Sequence, residues 1–379
     1  MISLKIQRET RVSLTSRVRQ MCGLFDLEPA KTSRREWSHE LPIDEFDWQI
    51  GLVYGPSGCG KSTLARELWP DALVDGFEWP ADRSVVDAFP ADMPIKNVCG
   101  LLSSVGFSSP PAWVRPHHVL SNGEQFRATV ARALAERPEL LVVDEFTSVV
   151  DRRVARIGSH AVAKTVRRRG GQFVAVACHD DLIEWLDPDW TYEPAAGQFQ
   201  RRRERRPRPA IELEVRRVGT DAWRWFAPHH YLSHKIARPA QCFLGLVDGA
   251  PAVFTAVMSF PHKVSPSWRE HRTVCLPDFQ GAGIGMQFST FVASLYAATG
   301  RCYTSTTAHP GLIASRARSP VWDMVRTPQR ASVKSRTQLM RQTASQRAHY
   351  LSIAVTRATA GFRYCGPANP DAARALGVI

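Results

Sequence analysis

The chain has 379 residues, of which 44% are apolar, and its formal net charge is +13. This length suffices for two domains with their own cores, because a domain usually takes roughly 100 to 200 residues. The eight cysteines lie far apart without a C-x-x-C pair, which argues against a disulfide framework or a zinc knuckle and favours a reducing compartment. No apolar run reaches the roughly 18 to 20 residues that span a bilayer, and the N-terminus lacks the pattern of a signal peptide. We therefore expect a cytoplasmic protein with no membrane partner.

The charge is distributed unevenly along the chain. Residues 1–200 contain 23 Lys and Arg against 27 Asp and Glu, a net charge of −4, whereas residues 201–379 contain 26 against 9, a net charge of +17. Such an asymmetry predicts a polyanion, most often DNA or RNA, as the partner of the second half. A basic surface that serves only solubility is the alternative.

Short apolar runs alternate with helical patterns in the first half. The runs at 50–54, 140–143 and 173–177 are continuously apolar, as expected for strands of a largely parallel sheet that is buried on both faces. We therefore predict an α/β domain over residues 1–200.

A phosphate-binding loop follows the first of these runs. The stretch GPSGCGKST, residues 55–63, matches G-x-x-x-x-G-K-[ST] in the required strand-loop-helix context. Its glycines let backbone N–H groups converge on phosphate oxygens at a helix N-terminus, Lys61 reaches the terminal phosphates, and Ser62 can bind Mg²⁺. The predicted nucleotide-binding residues of this loop are Gly55, Ser57, Gly58, Gly60, Lys61, Ser62 and Thr63.

Two carboxylates end the second run, LLVVDEF at 140–146. We expect Asp144 to bind Mg²⁺ and Glu145 to orient or deprotonate the attacking water. Taken alone, two acids at the end of a strand are more often simply solvated, so the assignment depends on the neighbouring motifs.

The stretch LSNGEQ, residues 120–125, lies between these motifs and resembles the signature motif of ATP-binding cassette (ABC) ATPases. The resemblance extends over residues 50–182 and includes Asp151 at a D-loop-like position and His179 at the position of the switch histidine. It implies a P-loop ATPase that binds ATP and Mg²⁺ and forms a head-to-tail homodimer with two ATP molecules at the interface. Ser121 and Gly123 of one chain would then complete the site formed by the loop, Glu145 and His179 of the other.

This sequence departs from the ABC pattern between the loop and the signature. No glutamine lies between Lys61 and Gln125, and Asp87 is the expected substitute as a metal ligand. The stretch from Lys61 to Ser121 is also short for a transporter cassette, which makes transport a weak interpretation. Three aromatic residues are candidates for stacking on adenine, and the sequence does not choose among Phe25, Trp37 and Trp48.

A basic linker, RRRERRPRP at 201–209, separates the first domain from a second at 210–379. Two apolar runs there flank Asp248-Gly249, a signal for a two-residue hairpin turn. The second domain is therefore predicted to be α+β, with a mixed, partly antiparallel sheet.

A second glycine-rich turn, LPDFQGAGIG at 276–285, is neither a dinucleotide fingerprint nor a phosphate-binding loop of the first kind. Gln280-x-x-Gly283-x-Gly285 resembles motif A of the GNAT acyltransferases. The resemblance implies that backbone amides from Gly281 to Gly285 cradle the pyrophosphate of acetyl-CoA or another acyl-CoA at a helix N-terminus. A glycine turn packed tightly against a neighbouring strand is the alternative.

Candidates for acid or base chemistry in the second domain lie in APHHYLSHK, where His230 and Tyr231 are the predicted catalytic pair beside His229. Further candidates in this part of the chain are Asp278, Tyr303 and His309. The domain also resembles phage-type GNAT-like proteins, including the Mom family of DNA-modifying enzymes, which implies a nucleobase amine as the acceptor. The arginine-dense stretch 316–363, which contains Trp322 and Tyr350 and is followed by Tyr364, is typical of a surface that follows phosphates and stacks on bases.

Three hypotheses follow. The leading one is an ABC-type ATPase coupled to a GNAT-like acyltransferase that modifies nucleic acid. The second keeps the acyltransferase but gives it a protein or small-molecule amine. The third is an ATP-gated nucleic-acid-binding module whose GNAT-like domain is not catalytic.

Overall fold

The computed structural model describes residues 1–202, 210–230, 234–260, 266–330 and 358–379. Backbone contacts divide the chain into two compact units. Unit 1 comprises Met1–Phe77, Arg137–Val149 and Val166–Arg208, and unit 2 comprises Glu78–Glu136, Val150–Thr165 and Pro209–Ile379. The units cut across the predicted boundary, because residues 78–136 and 150–165 group with the C-terminal part. The predicted linker lies mostly outside the described residues, so its role stays a prediction.

The described residues form fifteen strands. Those of unit 1 are β1 Ile2–Arg11, β2 Thr32–Leu41, β3 Ile50–Tyr54, β4 Leu73–Val74, β5 Leu140–Val143, β6 Gln172–Ala177, β7 Trp190–Glu193 and β8 Gln198–Arg201. Those of unit 2 are β9 Glu214–Val218, β10 Gln241–Val247, β11 Ala250–Phe260, β12 Ser267–Cys275, β13 Tyr303–Thr307, β14 Trp322–Arg330 and β15 Ala358–Tyr364.

The α-helices of the described ranges are α1 Ser16–Leu24, α2 Lys61–Leu68, α3 Ile95–Ser104, α4 Pro110–Trp113, α5 Asn122–Glu136, α6 Arg152–Arg169, α7 Leu182–Leu186, α8 Ile284–Ala297, α9 Pro310–Ala317 and α10 Pro370–Ala375. Short 3₁₀ helices lie at Ile43–Glu45, Val85–Ala88, His117–Val119, Thr220–Trp225, Ala227–His229 and Pro277–Phe279. Within these ranges, none of the helices combines the length and apolar character needed to cross a membrane.

Unit 1 contains a six-stranded sheet in the order β4-β5-β6-β3-β7-β8. All neighbours are parallel except β7 and β8, which confirms the predicted, largely parallel α/β sheet. Strands β1 and β2 form a separate antiparallel hairpin. The core includes Val53, Val142, Val174 and Trp190, so the continuously apolar runs are buried as their sequence predicts.

Unit 2 contains a seven-stranded mixed sheet in the order β14-β15-β13-β12-β11-β10-β9. The β10–β11 hairpin turns at Asp248 and Gly249, both with positive φ, as the Asp-Gly signal predicts. Strands β12 and β13 are parallel and pair at only two positions, Trp268 with Tyr303 and Arg269 with Thr304. Beyond these pairs no further register between the two strands is formed.

The sheet of unit 2 is packed on one face by α8 and, over strands β10 and β11, on the other face as well. Helix α8 covers one face through a cluster that includes Phe243, Phe288 and Phe362. On the other face, Trp223 and Phe226 pack against Phe254 over strands β10 and β11. This packing fixes α8, and the glycine turn that precedes it, against the end of β12.

Candidate functional site

The phosphate-binding loop joins the end of β3 to the start of α2, as the motif predicts. Gly60 is the N-cap of α2, with a φ of 96°, in the left-handed region that glycine adopts without strain. A β-carbon on Gly60 would also lie 2.9 Å from Trp37 Nε1. Two independent constraints therefore require glycine at this position.

Lys61 is buried at the first position of α2 and is only 7% exposed. Its Nζ donates to the carbonyl oxygens of Gly55 and Pro56, both at 2.8 Å. The ammonium group is thus held inside the loop, at the helix N-terminus where phosphate oxygens bind.

The residues predicted to bind the metal and the water lie at one edge of the sheet. Ser62 Oγ donates to Asp144 Oδ1 at 3.1 Å, and Glu145 follows with its backbone N–H donating to the same oxygen at 2.9 Å. The side chains of Ser62 and Asp144 offer the hard oxygen donors that Mg²⁺ prefers, so they fit the predicted ion. His179 follows β6, which lies between β5 and β3 in the parallel sheet, and therefore belongs to the same edge.

Asp87 is placed differently. It is exposed on the 3₁₀ helix Val85–Ala88 in unit 2, where it accepts a hydrogen bond from Ser84 Oγ at 2.5 Å. No group of three or more His, Cys, Asp or Glu side chains suited to a metal occurs in the described part of the chain. The metal role of Asp87 stays a prediction.

The structure distinguishes the three aromatic candidates near the loop. Trp37 lies against Gly60, whereas Trp48 donates its Nε1 to Ile43 O at 3.1 Å and packs edge-on against Trp190. Phe25 is 65% exposed after α1. Trp37 is the one of these three that borders the loop.

The signature stretch begins α5 with a reciprocal cap. Ser121 Oγ accepts from Glu124 N at 3.4 Å, and Glu124 Oε2 accepts from Ser121 N at 3.1 Å, which satisfies two free donors at the helix start. Gly123 is buried, and a β-carbon there would lie 3.1 Å from Val154 Cγ1 and 3.6 Å from Asp278 Oδ1. The signature glycine of unit 2 therefore lies beside the C-terminal glycine turn.

Asp151 begins the next helix, α6. Its Oδ1 accepts from the backbone N–H groups of Arg153 and Val154 at 3.0 and 3.1 Å. The D-loop-like aspartate is thus an N-cap.

The second glycine-rich turn adopts the backbone that its glycines allow. Gly281 and Gly283 both have a φ of 97°, and Gly283 is the N-cap of the fourteen-residue helix α8. Gly285 lies inside the helix, where a β-carbon would be 3.4 Å from Cys275 Cβ. Lys164 Nζ lies 3.8 Å from where a β-carbon on Gly283 would be.

Other parts of unit 2 cover this turn. Gln280, only 7% exposed, accepts from Ser108 N at 2.5 Å and donates to Cys275 O and Ser109 Oγ at 2.7 and 3.2 Å. A β-carbon on Gly281 would lie 2.5 Å from Ala161 Cβ and 2.7 Å from Gly106 Cα. Residues 106–109 and Ala161 therefore pack against Gln280 and Gly281, whereas Gly283 and Gly285 are partly exposed at the start of α8. The acyl-CoA role of the turn stays a prediction.

Sequence reasoning missed Arg127, which lies under this cover. It is 1% exposed, and its Nη1 donates to Gly123 O at 3.3 Å. Burial lowers the pKa of Arg127, and the Asp278 carboxylate opposes that shift. A charged residue on the helix face that also carries Val130, Ala131 and Leu134 was the available signal.

The predicted acid and base candidates of unit 2 are held in the fold in different ways. His230 is 6% exposed, with its ring 5.5 Å from that of Trp223, and Tyr231 lies outside the described residues. Burial lowers the pKa of His229 and of His309, and His309 caps α9 by accepting from Leu312 N. These positions leave the catalytic roles of His230 and Tyr231 as predictions.

A buried ion pair, also missed from the sequence, lies where β12 and β13 stop pairing. Arg316 Nη2 is 2.8 Å from Glu270 Oε2, and the two side chains are 0% and 7% exposed. Ser289 donates to Glu270 at 2.6 Å, and Arg316 donates to Ser305. Burial, followed by the nearby Glu270 charge, raises the pKa of Tyr303 well above its usual value. The pair bridges the two strands from the side of α8.

The loop, the paired serine and aspartate, and the parallel sheet define a P-loop nucleotide-binding fold. A family model described as "ATPase family associated with various cellular activities (AAA)" matches residues 51–173. The chain is 33% identical over 181 residues to an aliphatic sulfonates import ATP-binding protein of Frankia alni, covering 41% of this chain and 72% of that protein. It is 30% identical to one of Paracoccus denitrificans, covering 51% and 88%. The N-terminal part of this chain therefore belongs to the family of ATP-binding cassette ATPases, as the signature motif predicts.

Other similarities are weaker. The chain is 26% identical to a spermidine/putrescine import ATP-binding protein of Marinobacter nauticus and spans 62% of that protein's length. Among solved structures, cbiO1 from Clostridium perfringens is 19% identical with a TM-score of 0.33, covering 40% of this chain and 75% of that one. A bacterial ABC transporter cassette solved as a dimer is 16% identical with a TM-score of 0.35, covering 41% and 86%. The family model ends at residue 173, so residues 210–379 are interpreted from their own geometry.

Proposed function

We propose that this chain is an ATP-driven switch whose cassette dimerises around ATP and whose C-terminal part binds nucleic acid. The uneven charge supports nucleic-acid binding, since residues 201–379 hold a net charge of +17 against −4 for residues 1–200. The cassette motifs support the ATP-driven dimerisation.

Each group at the edge of the unit 1 sheet has a role in this cycle. The loop amides and Lys61 hold the phosphates, and Ser62 and Asp144 hold Mg²⁺, which neutralises charge that develops during hydrolysis. Glu145 orients the attacking water, and Trp37 offers its ring to the base. Ser121 and Gly123 of a second chain close the site, so ATP binding and dimerisation are coupled.

The output of the switch is proposed to pass to the C-terminal part of the same chain. The relatives described above are import ATP-binding proteins. In this chain, the segment 103–109 lies between the phosphate-binding loop and the signature motif, and Ser108 and Ser109 form hydrogen bonds within unit 2 with Gln280 of the glycine turn. His309 also lies near Trp113, with ring centroids 6.3 Å apart. This contact offers a direct route from the cassette segment to the basic domain.

Nucleic-acid binding by the full chain tests the proposal. We expect fluorescence anisotropy to show binding whose affinity falls steeply with salt, because the basic part displaces counterions from phosphates. ATP and Mg²⁺ should change the affinity, and Lys61→Ala should keep the binding but lose the ATP effect. An affinity for nucleic acid that is absent, or that does not depend on salt, would count against the proposal.

Acyl transfer in a GNAT-like fold is a second candidate. It is favoured by the parallel strands β12 and β13, which pair at only two positions, and by the glycine turn at the N-terminus of α8. The packing of residues 106–109 against Gln280 and Gly281 opposes it, because it restricts access to the start of the turn. In this version the acceptor is an amine of a nucleic acid, of a protein or of a small molecule.

Calorimetric titration of acetyl-CoA separates the two candidates. We expect no binding to the full chain without ATP, because Gln280 and Gly281 are covered. Saturable binding that Gly283→Asp abolishes would instead establish the acyl-CoA site, and mass spectrometry of nucleosides from expressing cells would then show whether a base is modified.

A further inference from the structure

One face of the unit 2 sheet points towards α8 and the other points away from it. Successive residues of a strand alternate between faces, and directly paired residues of neighbouring strands share a face. Glu270 accepts a hydrogen bond from Ser289 of α8, so its neighbour Arg269 points to the opposite face.

Strand pairing extends this opposite face from β12 to β14. The pairs that carry it are Arg269 with Thr304, Thr304 with Arg363, Arg363 with Asp323, Thr306 with Gly361, and Gly361 with Arg326. On β11, Phe260 lies two residues beyond Met258, the partner of Arg269, and so shares the face.

This part of the face is open to solvent. Arg269, Arg326 and Arg363 are exposed, and Phe260 is 44% exposed. Among the described residues, the cluster that covers this face lies further along the sheet, where Trp223 packs over β10 and β11. We call the three arginines and Phe260 the arginine face.

The charges on the arginine face are only partly balanced. Arg363 Nη2 lies 3.2 Å from Asp323 Oδ2, with both side chains about half exposed at 53% and 52%, and such pairs contribute little. The Arg269 guanidinium lies 5.3 Å from the centre of the Phe260 ring. Although Arg269 is exposed, partial burial of its guanidinium and then the Arg326 charge lower the pKa of Arg269. The two like charges lie near each other, so an anion would be attracted.

The spacing suits a flexible polyanion. Neighbouring strands are about 4.8 Å apart, so Arg269 and Arg363 are separated by roughly 10 Å and Arg326 lies one strand further. A chain laid across the strands would meet these cations in turn. An exposed aromatic ring beside an arginine also offers a platform for an unpaired base, whereas the base faces of a duplex are already stacked.

We infer that the arginine face binds single-stranded nucleic acid, a refinement that rests on the proposed function. The phosphates contact the three guanidinium groups and one base stacks on Phe260. DNA and RNA share this chemistry, and oligothymidylate and oligouridylate distinguish them.

The test measures binding of labelled 20-nucleotide oligothymidylate and oligouridylate to the full chain over a series of KCl concentrations. Arg269→Gln with Arg326→Gln should lower the slope of log affinity against log salt by about 1.4, at about 0.7 per phosphate contact on a single strand. That change corresponds to roughly 25-fold weaker binding at 0.1 M KCl. Phe260→Ala should weaken binding about fivefold or more without changing the slope.

Arg374→Ala is the matched control, because Arg374 is an exposed arginine on α10 that pairs with Asp371 as Arg363 pairs with Asp323. It should bind like the unchanged chain, and Asp323→Asn should bind more tightly. If the chain binds nucleic acid but the arginine-face variants do not differ from Arg374→Ala, the inference fails and the proposed function stands. If a duplex competes better than a single strand, the single-strand assignment is wrong. If the chain binds no nucleic acid, the proposed function fails with it.

Discussion

At the scale of the residue, burial and neighbouring arginines lower the pKa of a histidine in unit 2. His271 of β12 accepts a hydrogen bond from Ala237 N on its Nε2 at 3.2 Å. Burial first, and then the charges of Arg272 and Arg269, lower its pKa to about 4 from an ordinary 6.5. The neutral ring is therefore part of the folded state.

This residue predicts a pH dependence of stability. Between pH 6.5 and 4 the unfolded chain protonates His271 and the folded chain does not, so its contribution is present above pH 6.5 and is lost as the pH falls towards 4. Because His271 is only half buried, solvent screening keeps the loss below the limit of about 1.4 kcal/mol per pH unit. Urea unfolding at pH 7.5, 6.5, 5.5 and 4.5 would measure it.

His271→Gln is the control, since its carbonyl oxygen can still accept from Ala237 but does not titrate. The variant should show a shallower fall in the free energy of unfolding below pH 6.5. Equal slopes for the two proteins would show that His271 is not the titrating group.

At the level of elements, the turn before α8 connects three segments that are distant in sequence. Gly281 lies against Ala161 of α6 and against Gly106, which lies shortly after α3. Gln280 forms hydrogen bonds with Ser108 and Ser109. A substitution that disturbs this packing should therefore lower the free energy of unfolding.

Gly281→Ala tests this joint. The new methyl group would meet Ala161 Cβ at 2.5 Å with φ at 97°, so we expect a loss of about 2 to 4 kcal/mol in the free energy of unfolding. Gly300→Ala is the matched control, with φ at 72° and nothing within 4 Å of the added carbon, and should lose only about 1 to 2 kcal/mol. Equal losses would mean that the cover over the turn is not formed in solution.

At the scale of the whole molecule, the proposed function requires two chains to act together. The loop, Asp144 and Glu145 belong to unit 1, whereas Ser121 and Gly123 belong to unit 2. Since hydrolysis would separate the proposed dimer, a chain that binds ATP without hydrolysing it should accumulate as a dimer.

Glu145→Gln is the variant expected to bind ATP without hydrolysing it. We expect light scattering to show a dimer with ATP and Mg²⁺, and ATP hydrolysis reduced about a hundredfold or more, because the water is no longer oriented. Lys61→Ala should stay monomeric. Ser121→Arg in the Glu145→Gln background should bind ATP without dimerising, and a dimer that survived this change would contradict the head-to-tail arrangement.

Much of the cassette could be predicted from the sequence, because its chemistry requires particular residues at fixed spacing. A glycine loop of one length brings Lys61 and Ser62 to the helix start, and two acids at the end of an apolar strand reach the same edge of a parallel sheet. The hairpin at Asp248-Gly249 follows from local backbone preference in the same way. These features depend on short stretches of chain.

Tertiary packing alone decided which surfaces meet. Nothing in the spacing of LPDFQGAGIG indicates that Ala161 and Ser108 cover it, or that Glu270 and Arg316, 46 residues apart, form a buried pair between two diverging strands. Motif A has the same glycines whether its turn binds a pyrophosphate or packs against a helix, since both uses require a positive φ and a close approach. The sequence by itself therefore determined the ATPase and the basic second half. The fold decided that Gln280 and Gly281 are packed against residues 106–109 and that three arginines of unit 2 share one exposed face, because such contacts join residues that are neighbours only in space.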